Sequence, residues 1–233
     1  DFLVVNSDIL SEVDYEALIH FHTRKNSDCT MALREDPNAD MFGPVEIDKE
    51  GRVRRFLKTG LAGEYTKYMF TGVQVMNPNF LQNVKKGKYS DLSTEVYPQA
   101  VSESGNLFGF ISKAFWIDIG KPLPLLQANS HFLSKHNTAL QKEHVFHNAS
   151  VLHATSDSKP SRETVFGSYV GQNVSIESRV KIENSIVMKG ATIKKNSVVK
   201  NSIIAPETEL GHDTIYENVM VATVNKQLKI SGF

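Results

Sequence analysis

The chain has 233 residues, with 26 basic side chains against 26 acidic ones and a single cysteine, Cys29. Zero formal net charge argues against a generic nucleic-acid-binding surface, and one cysteine excludes an intramolecular disulfide framework, which fits a reducing, cytoplasmic setting. No apolar run reaches membrane-spanning length and no signal peptide is legible, so neither nucleic acid nor membrane is an expected partner.

The chain opens on "FLVVNSD". Phe2 to Val5 is a continuous, valine-rich apolar run, the pattern of a strand covered on both faces. "SEVDYEALIHFHTRK" follows. Ser11 and Asp14 have the spacing of a capping box, and Tyr15, Leu18, Ile19 and His22 recur at helical spacing. Asp8 therefore stands between the carboxyl end of a strand and a helix, where open α/β sheets bind ligands. His20 and His22 are two apart on that helix and do not share a face.

"CTMALRE" reads as a strand. "GPVEID" and "GRVRRFLK" read as a hairpin around Lys49-Glu50-Gly51. "YMFTGVQVM" is a further strand. "LSTEVYPQAV" is a short helix that Pro98 must kink or end. "LFGFI" and "AFWID" are strands, and "PLPLLQANSHFLSKH" is a helix that starts at prolines. Residues 1–136 thus alternate strands and helices as an α/β domain does. Residues 137–163 are polar and lack steady periodicity, which suggests a partly irregular linker. Its His144, His147 and His153 have no tight ligand spacing and read as solvated.

From Val165 the period changes. Val170, Ile176 and Ile182 are six apart, and Ile176–Ile193, Ile182–Val199, Val187–Ile204 and Ile193–Leu210 are each seventeen apart. "NSIV" at 184–187 and "NSII" at 201–204 keep that register. This is a hexapeptide repeat with one residue deleted per coil, a parallel β-helix over 164–224, followed by a tail at 225–233. Such stacks need caps or a partner, and "VMVATV" at 219–224 is apolar enough for either. A homo-oligomer built through the β-helix is the expectation.

The ordered set "FLVVNSD", "FGPVEID", "RFLKTG", "FTGVQV" and "FWIDIGKP", followed by a hexapeptide β-helix, resembles the sugar-nucleotide pyrophosphorylases. These nucleotidyltransferases join a sugar 1-phosphate to a nucleoside triphosphate and release pyrophosphate. Asn-Ser-Asp is similar to the mannose 1-phosphate guanylyltransferase branch; glucose 1-phosphate nucleotidyltransferases share the wider pattern. The resemblance implies the carboxyl-terminal part of a Rossmann-like, GT-A-like mixed sheet, then a short left-handed parallel β-helix. It implies that Asp8 and Asp118 bind Mg²⁺ at the mouth of one cleft. Lys58 would hold the sugar phosphate. Gly43 and the pair Thr71–Gly72 would let backbone approach the sugar, with Trp116 beside it.

That chemistry suits the residue types. Two anions must be brought together, so catalysis is mostly positioning and charge neutralisation. Magnesium takes one or two carboxylates plus substrate phosphates. No covalent nucleophile is required. The chain departs from the family where Glu-Lys-Pro is replaced by Leu57-Lys58-Thr59, since the glutamate faces sugar hydroxyls. It also carries no Gly-rich triphosphate loop, and it begins with Asp rather than Met. The expectation is an absent amino-terminal half-domain of on the order of 90 residues, three βαβ-sized units, so that the full-length parent is the enzyme and this chain alone is inactive and does not bind nucleotide normally. Two other functions stay open: a non-catalytic regulatory or assembly subunit, and a fused β-helix acyltransferase, for which His212 is the one histidine in the repeat.

Overall fold

The structure is a computed structural model that describes residues 1–103, 105–135, 144–147, 150–153 and 164–233. The chain forms two compact units, Asp1–Ile117 and Asp118–Phe233.

The first unit contains β1 (Phe2–Val5), β2 (Ile9–Ser11), α1 (Tyr15–Lys25), β3 (Cys29–Arg34), α2 (Ala39–Phe42), β4 (Pro44–Ile47), β5 (Val53–Phe56), β6 (Thr59–Gly60), β7 (Thr66–Met76), α3 (Tyr97–Ser102) and β8 (Leu107–Ile111). It runs into β9 (Trp116–Asp118), which pairs with β2. The main sheet has the order β6-β5-β4-β7-β3-β8, with β1 also on β7. Side chains alternate across it as the pleat requires. Met31, Leu33 and Met76 face a cluster with Phe56, Tyr97 and Val101, whereas Ala32, Val73 and Val75 face Leu18 of α1.

In the larger cluster the Tyr97 ring lies 5.0 Å from that of Phe56. Its hydroxyl donates to Gln74 Oε1 at 2.5 Å. Burial pushes the Tyr97 phenol and the Cys29 thiol above their usual values. Cys29 is therefore an inert core thiol rather than a nucleophile.

Three local readings are corrected. β1 is not covered on both faces: Phe2, Leu3 and Val5 are each more than a third exposed. Its one strand neighbour among the described residues is β7. The cap of α1 is Asp14, whose carboxylate accepts from Ala17 N at 2.9 Å, while Ser11 belongs to β2. Pro98 does not end a helix. A π-helical turn, Leu92–Val96, leads directly into α3, and the change of helix type falls just before Pro98, an irregularity of the kind a proline imposes.

The second unit is a parallel β-solenoid of about three turns. Val165, Ile182, Val199 and Tyr216 stack in one column, each seventeen residues after the last. Tyr169, Ile186, Ile203 and Met220 stack in a second, and Ser175, Thr192 and Glu209 in a third. Inside lie Val170, Ile182, Val187, Ile193, Val199, Ile204 and Leu210, all fully buried. Corners need left-handed backbone, and Gly167, Asn184, Asn201 and Asn218 supply it at the same spacing.

α4 (Pro122–Lys135) groups with this unit rather than with the α/β sheet, because Leu126 packs with Ile186 and Ile203. The segment read as an irregular linker contains two described strands, His144–His147 and Ser150–His153. The second of these pairs in parallel with Tyr169–Val170 and so starts the stack. The rest of 137–163, and the side chains of His144, His147 and His153 whose solvation was expected, lie outside what the structure describes. The tail forms a hairpin, Val219–Val224 with Gln227–Gly232.

Candidate active site

The register of β7 creates the site. β3 occupies one edge of β7, from Cys29 opposite Met76 to Arg34 opposite Met69. The other edge is shared by two strands running the same way. β1 pairs over Val73–Met76, and β4 over Thr66–Met69. β1 therefore ends where β4 begins, and Phe70, Thr71 and Gly72 lie opposite the break. Chain reversals leave both strand ends there. Asn6-Ser7-Asp8 follows β1 and Gly43 precedes β4, with Asn6 N donating to Gly72 O at 3.0 Å. A change of strand partner of this kind gathers strand ends, and strand ends are where α/β sheets bind ligands.

Thr71 is fixed from two sides. Its hydroxyl donates to Ala32 O at 2.8 Å, where β3 breaks register between Met31 and Leu33. Its carbonyl accepts from the Trp116 indole Nε1 at 2.7 Å. The hydroxyl is buried and engaged, so Thr71 contributes a backbone position and not a free side chain. Gly72 has φ +78°, and a Cβ there would lie 2.7 Å from Asn6 Nδ2. Gly43 has φ +90°, and a Cβ there would lie 2.7 Å from Leu57 Cδ2. Both expected glycines thus lie beneath a neighbouring side chain, an amide over one and an isobutyl group over the other.

Lys58 is exposed at the tip of the β5–β6 hairpin, in a turn and not on a strand as "GRVRRFLK" suggested. Leu57 N donates to Pro44 O at 3.0 Å, which ties that tip to the start of β4. Asp8 is an exposed turn residue with no hydrogen bond or ion pair to the described residues. Asp118 opens the second unit, half-buried, with Oδ1 accepting from Gly120 N at 2.8 Å. His212 is exposed at a solenoid corner, 3.7 Å from Asp213.

Two residues at the break escaped the sequence reading. Asn6 lies over Gly72. Arg34 ends β3, with Nη1 donating to Trp116 O at 3.2 Å and its guanidinium 5.6 Å from the Trp116 ring centroid. Asp36 lies 3.7 Å from Arg34 Nε. The available signal was a cation closing an otherwise apolar strand at its carboxyl end.

The donor set bears on the metal. Among the described residues no group of three or more His, Cys, Asp or Glu side chains is gathered to hold an ion. That excludes an all-protein cage there but suits Mg²⁺, which keeps waters and binds through one or two carboxylates. An exposed, unengaged Asp8 carboxylate is a donor of that kind.

Residues 1–135 match the family model described as nucleotidyl transferase, and residues 140–231 match the GMPPB C-terminal domain. A probable mannose-1-phosphate guanylyltransferase 1 of Oryza sativa subsp. japonica is 30% identical over 122 residues, 52% of this chain and 33% of the relative. A mannose-1-phosphate guanylyltransferase catalytic subunit beta of Drosophila pseudoobscura pseudoobscura is 26% identical over 133 residues, 57% of this chain and 35% of the relative. A mannose-1-phosphate guanylyltransferase of Mycobacterium tuberculosis is 28% identical over 121 residues, 52% of this chain and 33% of the relative. The chain spans about a third of the length of these curated relatives. Among the described residues no helix is long and apolar enough to cross a membrane.

Proposed function

The chain belongs to the nucleotidyl transferase family, and from that premise we propose that it binds a sugar 1-phosphate at the β1–β4 break. The reaction it serves is transfer of a nucleotidyl group from a nucleoside triphosphate to that phosphate, with release of pyrophosphate. The observation that carries the reading is the changeover at β7, which gathers the strand ends bearing Asp8, Gly43, Thr71 and Gly72. The names of the relatives make mannose 1-phosphate and GTP the first pair to test.

Each group has a role that its chemistry allows. Lys58 supplies a cation for the attacking phosphate. Asn6 offers an exposed amide to sugar hydroxyls, and the Trp116 ring offers an apolar face. Asp8 and Asp118 would hold Mg²⁺, which when bound neutralises phosphate charge. The attacking oxygen comes from the sugar phosphate and the leaving group is pyrophosphate, so no residue of this chain forms a covalent intermediate. The solenoid serves assembly as a homo-oligomer, which light scattering at micromolar concentration tests; a monomer there removes that part.

A second reading is a non-catalytic subunit of the same fold. Leu57, where the family carries glutamate, favours it. The deciding experiment titrates the chain with mannose 1-phosphate by calorimetry, then assays pyrophosphate release with GTP and Mg²⁺ in the full-length protein. Lys58→Ala weakens sugar-phosphate binding by roughly 100-fold, the worth of a desolvated charge contact, without loss of fold. Unchanged binding in Lys58→Ala removes Lys58 from the site. Sugar-phosphate binding without turnover in the full-length protein shifts weight to the non-catalytic subunit.

A further inference from the structure

Leu57 and Lys58 form the whole two-residue link between β5 and β6, since Phe56 pairs with Thr59. Both have positive φ, +50° and +71°. Two-residue hairpins favour such geometry, but they normally place Asn-Gly or Asp-Gly in it. A leucine there meets the crowding between Cβ and carbonyl that disfavours left-handed backbone. Strained conformations of this kind persist where surrounding contacts over-determine them, and they gather at functional sites.

The surrounding contacts can be named. Leu57 N is held by Pro44 O at 3.0 Å. The Leu57 side chain packs against the core cluster that contains Phe56. Its Cδ2 occupies the space above Gly43, 2.7 Å from where a Cβ would sit. Gly43 thus admits the isobutyl group, and the isobutyl group pins the first residue of the turn. Lys58 is the second residue of that turn, and its side chain is exposed.

We propose that Leu57 is a positioning residue: seated over Gly43, it holds the left-handed turn that presents Lys58 to the phosphate of a sugar 1-phosphate. This rests on the reading of Lys58 given above and adds a residue that makes no charged contact itself. A pre-set turn spares Lys58 part of the ordering cost of binding, so the apolar replacement for the family's glutamate acts on affinity through its neighbour.

The test uses the full chain, mannose 1-phosphate as the probe and calorimetry as the readout. Leu57→Gly relieves the left-handed turn but loses the contact with the core, so a purely structural role predicts altered stability with unchanged binding. The positioning role predicts binding weakened by about fivefold, because Lys58 loses its anchor. Leu57→Asn, which also tolerates the turn, gives the same weakening and guards against one variant failing to fold. Leu57→Met, which keeps an apolar side chain over Gly43, restores most of the affinity. In the Leu57→Gly/Lys58→Ala double variant no loss appears beyond that of Lys58→Ala, because the two act as one unit. Unchanged affinity in Leu57→Gly and Leu57→Asn, while Lys58→Ala binds weakly, would overturn the positioning role alone. Additive losses in the double variant would overturn it too. Unchanged affinity in Lys58→Ala overturns the Lys58 reading and this inference together.

Discussion

The indole Nε1 of Trp116 donates to the carbonyl oxygen of Thr71 at 2.7 Å. This bond joins β9 to the middle of the longest strand at the row where β1 stops and β4 starts. Arg34 holds the same tryptophan through its carbonyl oxygen and lies over its ring. A single side chain thus reports on the middle of β7 and on the end of β3.

Trp116 is the chain's one tryptophan, so its emission reads this site without interference. Arg34→Met removes a charge-assisted hydrogen bond and a cation–π contact, worth together about 2 kcal/mol in partly exposed surroundings. The expected outcome is a red-shifted Trp116 emission and weaker quenching by mannose 1-phosphate. Arg34→Lys keeps the charge but loses the planar fork, and recovers only part of the signal. An emission spectrum unchanged in Arg34→Met would detach Arg34 from the tryptophan.

The metal proposal separates the two carboxylates. With mannose 1-phosphate present, Asp8→Asn and Asp118→Asn each weaken binding of Mn²⁺, used as a spectroscopic stand-in for Mg²⁺. Loss of a ligand should cost at least the ~10-fold seen for groups that only orient ligands. Electron paramagnetic resonance of free Mn²⁺ measures it. If Asp8→Asn leaves the titration unchanged, Asp8 is a turn residue and no more.

Much of the solenoid was legible because its rule is local. An inward aliphatic residue recurs every five or six positions and the column every seventeen, and Asn184 and Asn201 mark the corners. Of the residues that the order of motifs singles out, Gly43, Thr71 and Gly72 lie at the changeover on β7. What could not be read was tertiary. Nothing in "RFLKTG" marks a turn, since Leu-Lys lacks the Asn-Gly signature, and the strand reading ran two residues too far. Asn6 over Gly72 and Leu57 over Gly43 depend on which strand ends abut, which no single segment encodes. β1 carried the apolar pattern of an interior strand, and among the described residues it pairs with β7 alone.

Asp48 gives a pH test in the sheet. Burial pushes its carboxyl up, but Arg52 N, the Arg54 guanidinium and Glu50 N together outweigh this and hold it below the usual carboxylate range. The Arg54 contact is 2.5 Å and the carboxylate is 12% exposed. A folded pKa below the unfolded one means stability that is present above about pH 4, the unfolded value, and lost as pH falls through the folded pKa. Asp48→Asn should therefore cost about 1–3 kcal/mol near pH 7, the range for an unsatisfied charged partner. The gap from wild type should close at lower pH. Urea midpoints between pH 3 and pH 7 check it; a gap that stays constant over that range removes the charge from the explanation.

The last expectation concerns a buried column of serines in the solenoid. Ser185 Oγ accepts from Ser202 N at 3.1 Å, and Ser168 Oγ accepts from Ser185 N at 2.9 Å. Ser202 Oγ continues the series to Val219 N at 3.2 Å. These amides fall at corners, where the ladder between turns has no carbonyl to offer, and all three serines are fully buried. A buried N–H without a partner costs its full desolvation, about 1–3 kcal/mol. Ser185→Ala leaves Ser202 N in that state, whereas Glu183 O, the acceptor of the Ser185 hydroxyl, keeps Asn201 N as a donor. The solenoid's thermal midpoint should fall by roughly 2–10 °C, the range set by that cost and by the entropy of unfolding for a chain of this size. Ser178, exposed on the same unit, is the control: Ser178→Ala should stay within about 0.5 kcal/mol of wild type. Equal midpoints for the two variants would mean that water reaches the Ser202 amide and that the column stabilises nothing.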